Sequence, residues 1–207
     1  MKGSIIVLCI FLAGIIIGIF GVVPEAWMPA ELSEWLLYAL VIQIGISLGY
    51  GGNLGKILRE VSLRSLLLPV CTIAGTLLFS ALAGMLLGGR GVRDYLALGS
   101  GMGYYSLSSV LIVDLKSDSI GVQAATQLGM LALLVNIIRE MTALVGGPWL
   151  AKVFGRYAPT AAAGVTSMDV TLPMIVRCGG QTMFPIALMH GMVLEVSVPL
   201  LVTLFAG

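Results

Sequence analysis

Apolar residues fall in long blocks rather than in alternation, and a block of about 20 such residues is what one helical crossing of a bilayer requires. Blocks of that kind occupy residues 4–23, 35–51, 65–87, 120–153 and 181–205. Two further stretches are apolar but interrupted. Residues 95–115 carry Gly99, Gly101 and Gly103, then Tyr104 and Tyr105, then Ser106, Ser108 and Ser109; residues 166–180 carry Asp169, Pro173, Arg177 and the pair Gly179-Gly180. Glycine and hydroxyl-bearing residues make a poor lipid-facing helix, so both stretches are predicted to be broken or re-entrant. The pattern predicts an all-α, polytopic integral membrane transporter with about five or six spans and two broken segments, like an inverted-repeat antiporter. Residues 1–207 then form one transmembrane domain, with three leading spans in 1–88 and a core in 89–207.

Loop charge sets the orientation. Residues 24–34 hold Glu25, Glu31 and Glu34 with no Lys or Arg, and Trp27 and Trp35 stand as interface anchors, so this loop faces away from the cytoplasm. The linker after residue 51 holds Lys56, Arg59 and Arg64 and is cytoplasmic by the same rule. Arg90 and Arg93 run mildly against it. If residues 95–115 dip in and return, the long helix runs inward and leaves Lys152 and Arg156 in the cytoplasm; if they cross, those charges end outside. The rule prefers the first, with five full spans, the amino terminus inside and the carboxyl terminus outside.

Composition narrows the class further. Hydrophobic residues make up 58% of the chain and charged residues 10%, against roughly 25% charged in soluble domains, which removes a soluble enzyme. A net charge of +1 with scattered basic residues leaves no footprint for nucleic acid. Cys9, Cys71 and Cys178 lie in or beside apolar stretches without paired spacing, so neither a disulfide framework nor a metal site is indicated, and no cofactor is implied. The opening block is long enough to span and lacks a clear cleavage site, so it reads as a first helix rather than a signal; Gly14 and Gly18 are spaced for close helix approach.

Charged side chains inside a bilayer cost a few kcal/mol each on insertion scales (~3 kcal/mol) and mark candidate solute paths. At about 100° per residue, Thr126, Gly129, Leu133, Asn136 and Glu140 fall within roughly 40° of Glu140, a narrow polar stripe on the long helix. Arg139 points about 100° away from Glu140, so the two cannot pair well with each other; each either serves transport or neutralises another charge in the bundle. Asp169 follows Thr166 and Ser167 and precedes Pro173, the composition of a helix start whose N–H groups are capped by side chains or offered to a solute. His190 and Glu195 lie about 140° apart on the last span and are candidates for proton relay, with hydrogen-bonded packing as the alternative. Discontinuous segments with Ser106, Ser108 and Ser109 on one and Asp169 on the other argue for a secondary transporter. No nucleotide-binding loop is present to power it, which points to an ion gradient.

Taken together, the run Gly99-Ser-Gly-Met-Gly-Tyr-Tyr-Ser-Leu-Ser-Ser109, then Asn136 with Arg139-Glu140, then Ala163-Gly-Val-Thr-Ser-Met-Asp-Val-Thr-Leu-Pro173 with Arg177 and Gly179-Gly180, and His190-Gly191 before Pro199 resemble the lysine exporter (LysO) family. Weaker matching, including Gly45-Ile-Ser-Leu48, extends the resemblance over nearly the whole chain. It implies export of L-lysine and toxic lysine analogues across the bacterial inner membrane, with two functional intramembrane acids that fall on Glu140 and Asp169. Longer members of the family resemble this chain with about three further helices in front, roughly one hundred residues at about 20 per span plus loops. The resemblance therefore implies a separately encoded small membrane partner or a homodimer.

For the mechanism, the two carboxylates bind the cationic groups of lysine, half-helix N–H groups take its carboxylate, and protons exchange for it. The rivals are an intramembrane serine protease using Ser106, Ser108 or Ser109 with His190 as base, which leaves both acids without a task, a sodium-coupled organic-anion transporter on a related scaffold, and a noncatalytic scaffold subunit.

Overall fold

In the computed structural model the described residues are 63–207 and, nearer the amino terminus, 9, 12–14 and 16–20. Cys9, residues 12–14 and residues 16–19 are helical. The rest of the span at 4–23, the span at 35–51 and the loops on either side of it lie outside the described residues. The described residues contain helices and no strand.

From residue 63 the chain forms a short 3-10 turn (Leu63–Leu66) and α1 (Leu67–Leu87), then α2 (Val92–Gly99), α3 (Tyr105–Ile120), α4 (Val122–Phe154) and α5 (Ala158–Ala163). A second 3-10 turn (Gly164–Met168), α6 (Leu172–Gly179) and α7 (Met183–Ala206) complete it. Three of these helices, α1, α4 and α7, are long and apolar enough to cross a membrane.

The other helices form two V-shaped hairpins. Lys116 in the last turns of α3 pairs with Asp94 in the first turn of α2 at 3.1 Å. Residues that far apart on one straight helix would stand about 33 Å apart, so the chain turns back on itself between them, at residues 100–104. The second hairpin turns at 164–171. Its end returns to its beginning, since a Cβ on Gly179 would stand 3.3 Å from the carbonyl oxygen of Arg156. The first hairpin, 92–120, extends the interrupted stretch at 95–115 by a few residues at each end, and the second reaches back beyond 166–180 to take in α5, which composition alone does not set apart.

The hairpins open at opposite ends of α4. The first hands over to α4 through Gly121 alone, and α4, about 50 Å long at 1.5 Å per residue, carries the chain to the start of the second. Glycines allow the close approaches: Gly129 of α4 has no room for a side chain beside Val113 and Ser109 of α3, and Gly84 of α1 packs on Val92 and Tyr95 of α2. α7 lies against the second hairpin through its first half, where Gly191 meets Met168. Leu194, Val198, Val202 and Ala206 of its second half join Ala97, Leu98, Met102, Ile112 and Leu128 in the main apolar core. α7 packs on both arms of the first hairpin, which holds them apart.

At the centre the two apices touch. The Val165 N–H donates to the Met102 carbonyl at 2.8 Å. Met102 is fully buried at φ +42, a left-handed conformation unusual for a residue with a side chain. Gly164 has φ +70, and a Cβ there would collide with the Met102 carbonyl and stand 3.2 Å from Arg139 Nε. Gly164→Ala should therefore lower the midpoint of thermal unfolding in detergent markedly, a loss of about 1–3 kcal/mol. Gly75→Ala, where a Cβ would meet nothing within 4 Å, should leave it unchanged or slightly raised.

Candidate functional site

The polar residues of α4 sort onto two sides of the touching apices. Asn136, 1% exposed, reaches the first apex: its Oδ1 accepts from the Gly103 N–H at 2.7 Å, and its Nδ2 donates to Ser108 Oγ at 3.3 Å and to the Ala132 carbonyl at 2.8 Å. Gly101 must lack a side chain because the Asn136 amide occupies that space. Arg139 reaches the second hairpin and α1. Its Nε and Nη2 donate to the carbonyls of Ala162 and Ala161 at 2.9 and 3.0 Å, and its Nη1 to Thr76 Oγ1 at 3.3 Å. A cation thereby sits on the carbonyl end of α5, where the helix dipole favours it. Beside it, α1 and α5 leave a groove of about 530 Å³ lined by Thr72, Gly75, Thr76, Ser80 and Arg139.

Glu140 faces the other way. It lies within Coulombic reach of Asp169 at the second apex, and Asp169 in turn of Glu195 on α7. Glu140 is 9% exposed, Asp169 and Glu195 are half-buried, and among the described residues the one hydrogen bond to these three carboxylates is from the Val170 N–H to Asp169 Oδ1 at 2.6 Å. Among the described residues no three Asp, Glu, His or Cys side chains come close enough to hold a metal ion, and the one ion pair is Lys116–Asp94. Arg139 and Glu140, adjacent in sequence, thus make no pair: one serves the backbone and the other joins a row of acids.

His190 is fully buried and ties three elements together. Its Nε2 lies 3.0 Å from Thr72 Oγ1 on α1, and its Nδ1 lies 3.1 Å from Ser167 Oγ at the second apex. Both hydroxyls also donate to backbone carbonyls, Thr72 to Leu68 and Ser167 to Ala187, each at 2.9 Å. With both hydroxyl protons used in this way both ring nitrogens must donate; a neutral ring needs one hydroxyl to rotate toward it. His190 contacts Thr72 on α1 and Ser167 at the second apex, while Glu195 lies within Coulombic reach of Asp169.

The serines separate. Ser108 is buried beside Asn136 and also donates to the Tyr104 carbonyl at 2.8 Å. Ser109 packs on Gly129, and Ser106 is exposed. His190 meets Ser167, not any of these three, so the serine–histidine pairs of a protease are not formed. Thr166 donates to the Ala163 carbonyl at 3.1 Å, and its own carbonyl takes the N–H and hydroxyl of Thr171, which closes the second apex. The stripe on α4 is also corrected. Leu133 is 39% exposed, while Ala125, Leu128, Gly129, Ala132, Asn136, Glu140, Ala143 and Gly147 are buried, because the inward face is set by contact with α3, α5 and α6 rather than by the polar residues alone.

With this geometry in hand, the sequence was compared with known proteins. The family profile described as lysine exporter LysO matches residues 8–206. The chain belongs to the lysine exporter LysO family. Lysine exporter LysO of Escherichia coli is 32% identical over 179 residues, covering 86% of this chain and 56% of that protein. A Haemophilus influenzae protein whose name also carries the words lysine exporter is 30% identical over 201 residues, covering 95% of this chain and 96% of that protein. The chain therefore spans about half the length of the Escherichia coli relative. No solved structure matches it.

Four participants in the site of this LysO-family chain escape a reading by residue type: Thr72, Thr76, Thr171 and Tyr105. The three threonines look like ordinary helix residues, and only the fold brings them to His190, Arg139 and the apex. Tyr105 stands next to Tyr104, and nothing in the sequence separates their roles. Asn136→Leu would bury the Gly103 N–H without a partner, at a cost of about 1–3 kcal/mol, so its thermal midpoint in detergent should fall while that of Ser106→Ala stays at the wild-type value.

Proposed function

We propose that this chain exports L-lysine, and toxic lysine analogues, from the cytoplasm across the bacterial inner membrane in exchange for protons. The observation that carries the reading is the row Glu140, Asp169 and Glu195 beside the touching apices, in which Glu140 and Glu195 accept no hydrogen bond among the described residues. Carboxylates gathered in a low-dielectric site repel one another, and an ammonium group or a proton relieves that repulsion. The two occupants therefore compete, and competition between substrate and proton for one site is the basis of antiport. Lysine brings two ammonium groups, which suits a site with more than one acid. Among the described residues the first N–H groups of α3, at Tyr105, Ser106 and Leu107, have no side-chain cap, and they offer a place for its carboxylate. Both relatives carry lysine exporter in their names, which supports the substrate.

A partner completes the path in this reading, either a small membrane subunit of about three helices or a second copy of the chain. A fully active monomer would contradict that part alone. The central test is efflux from lysine-loaded, exporter-deficient bacterial cells expressing the chain at imposed external pH. Wild-type efflux should rise with external acidity, and Glu140→Gln and Asp169→Asn should each cut it by about tenfold or more, the scale expected when a charge-assisted contact worth about 1.5–3 kcal/mol is lost. Efflux by Glu140→Gln at the wild-type rate would overturn the assignment. Sodium-dependent uptake of an organic anion in its place would favour the rival transporter.

A further inference from the structure

Two adjacent tyrosines at the first apex part company. Tyr104 packs against the apolar core with Met102, Ile112 and Leu128. Tyr105, half-buried at the first position of α3, is absent from that core, and its hydroxyl has no hydrogen-bond partner among the described residues, whereas Tyr95 and Tyr157 have theirs. The antiparallel register of α3 and α4 says where it goes. Ser108 meets Asn136, so one turn before Ser108 the facing level of α4 is one turn beyond Asn136, at Arg139 and Glu140, and of these Glu140 is the one turned away from α1 and α5. The same conclusion follows from the electrostatics, since Tyr105 is within Coulombic reach of both Glu140 and Asp169.

We infer that Tyr105 is a substrate-contacting residue that determines specificity for a primary ammonium group. Its ring forms a third wall beside the carboxylates of Glu140 and Asp169, and its hydroxyl oxygen accepts one N–H of the bound cation. An ammonium has three N–H donors: two can go to the acids and the third to the phenol oxygen. The inference rests on the lysine reading above.

The test is equilibrium binding of radiolabelled lysine to the purified chain in detergent, with ornithine and 6-hydroxynorleucine as competitors. The second competitor replaces the side-chain ammonium of lysine with a neutral hydroxyl. Tyr105→Leu should weaken lysine binding about tenfold while leaving competition by 6-hydroxynorleucine within about twofold of wild type. Tyr105→Phe, which keeps the ring but not the hydroxyl, should also lose about tenfold. Tyr104→Phe should bind like wild type, and equal elution volume and thermal midpoint across the set shows that the variants are folded. Should Tyr105→Leu bind lysine like wild type, or lose both ligands equally while folded, the Tyr105 assignment falls and the lysine reading stands. An unfolded Tyr105→Leu passes the decision to Tyr105→Phe: a loss of about tenfold in lysine affinity supports the hydroxyl contact, and wild-type affinity overturns it. Absence of lysine binding by the wild-type chain overturns the lysine reading and this assignment with it.

Discussion

A backbone that leaves its helix inside a bilayer has no water to turn to, and each N–H or C=O left unpaired there costs several kcal/mol, ~2–7 kcal/mol by transfer measures. Both hairpins of this chain leave their helices at such a place, and each supplies part of what the other lacks. The Val165 N–H goes to the Met102 carbonyl, the Gly103 N–H goes to Asn136, and the carbonyls of Ala161 and Ala162 go to Arg139. Gly101, Gly103 and Gly164 are glycines for the same reason. A side chain at any of them would occupy the space that the partner, whether Asn136, the Ala163 carbonyl or the Met102 carbonyl, must fill.

That requirement divides the labour on α4. Asn136 and Arg139 are spent on the backbone of the two apices, and Glu140, about 100° round the helix from its neighbour, is left over. Had Arg139 turned toward Glu140 the two would have formed an internal pair, and a bound cation would gain little there. With its charge placed on the carbonyl end of α5, the guanidinium leaves the acids of α4, the second apex and α7 without a fixed counter-charge among the described residues. The device that satisfies the backbone is also what keeps the guanidinium from pairing with the acidic row, which is what the proposed cation site requires.

How much of this could be read from the residues alone follows from which facts are local. The two breaks are legible, because clustered glycines, a proline and hydroxyls cannot sit in a lipid-facing helix whatever surrounds them. Glu140 and Asp169 are legible as costly charges. The partners are not, because they depend on which apex meets which helix: nothing local says that Arg139 serves Ala161 and Ala162, that His190 bridges Thr72 and Ser167, or that Tyr104 and Tyr105 diverge. Three serines in one segment look equivalent, yet burial against Asn136, packing on Gly129 and exposure give Ser108, Ser109 and Ser106 different fates. The outer arm of the second hairpin escapes as well, since α5 is a short helix whose direction is set by contacts with α1 and α4.

The junction also limits how the site can change its access. Drawing the apices apart would orphan the Val165 N–H and free the Met102 carbonyl from its partner, and would strip Gly103 of Asn136 unless α4 moved with it. The cost of several such groups at about 1–3 kcal/mol each exceeds the few kcal/mol that separate the working states of a typical two-state protein, ~1–4 kcal/mol. In the proposed transport cycle the two hairpins and the middle of α4 would therefore move as one body, carrying Glu140 and Asp169 with them. In that cycle access to one side or the other would arise where packing is cheaper to change, at contacts between apolar helix faces, with the acids presented by displacement of the whole junction rather than by its opening.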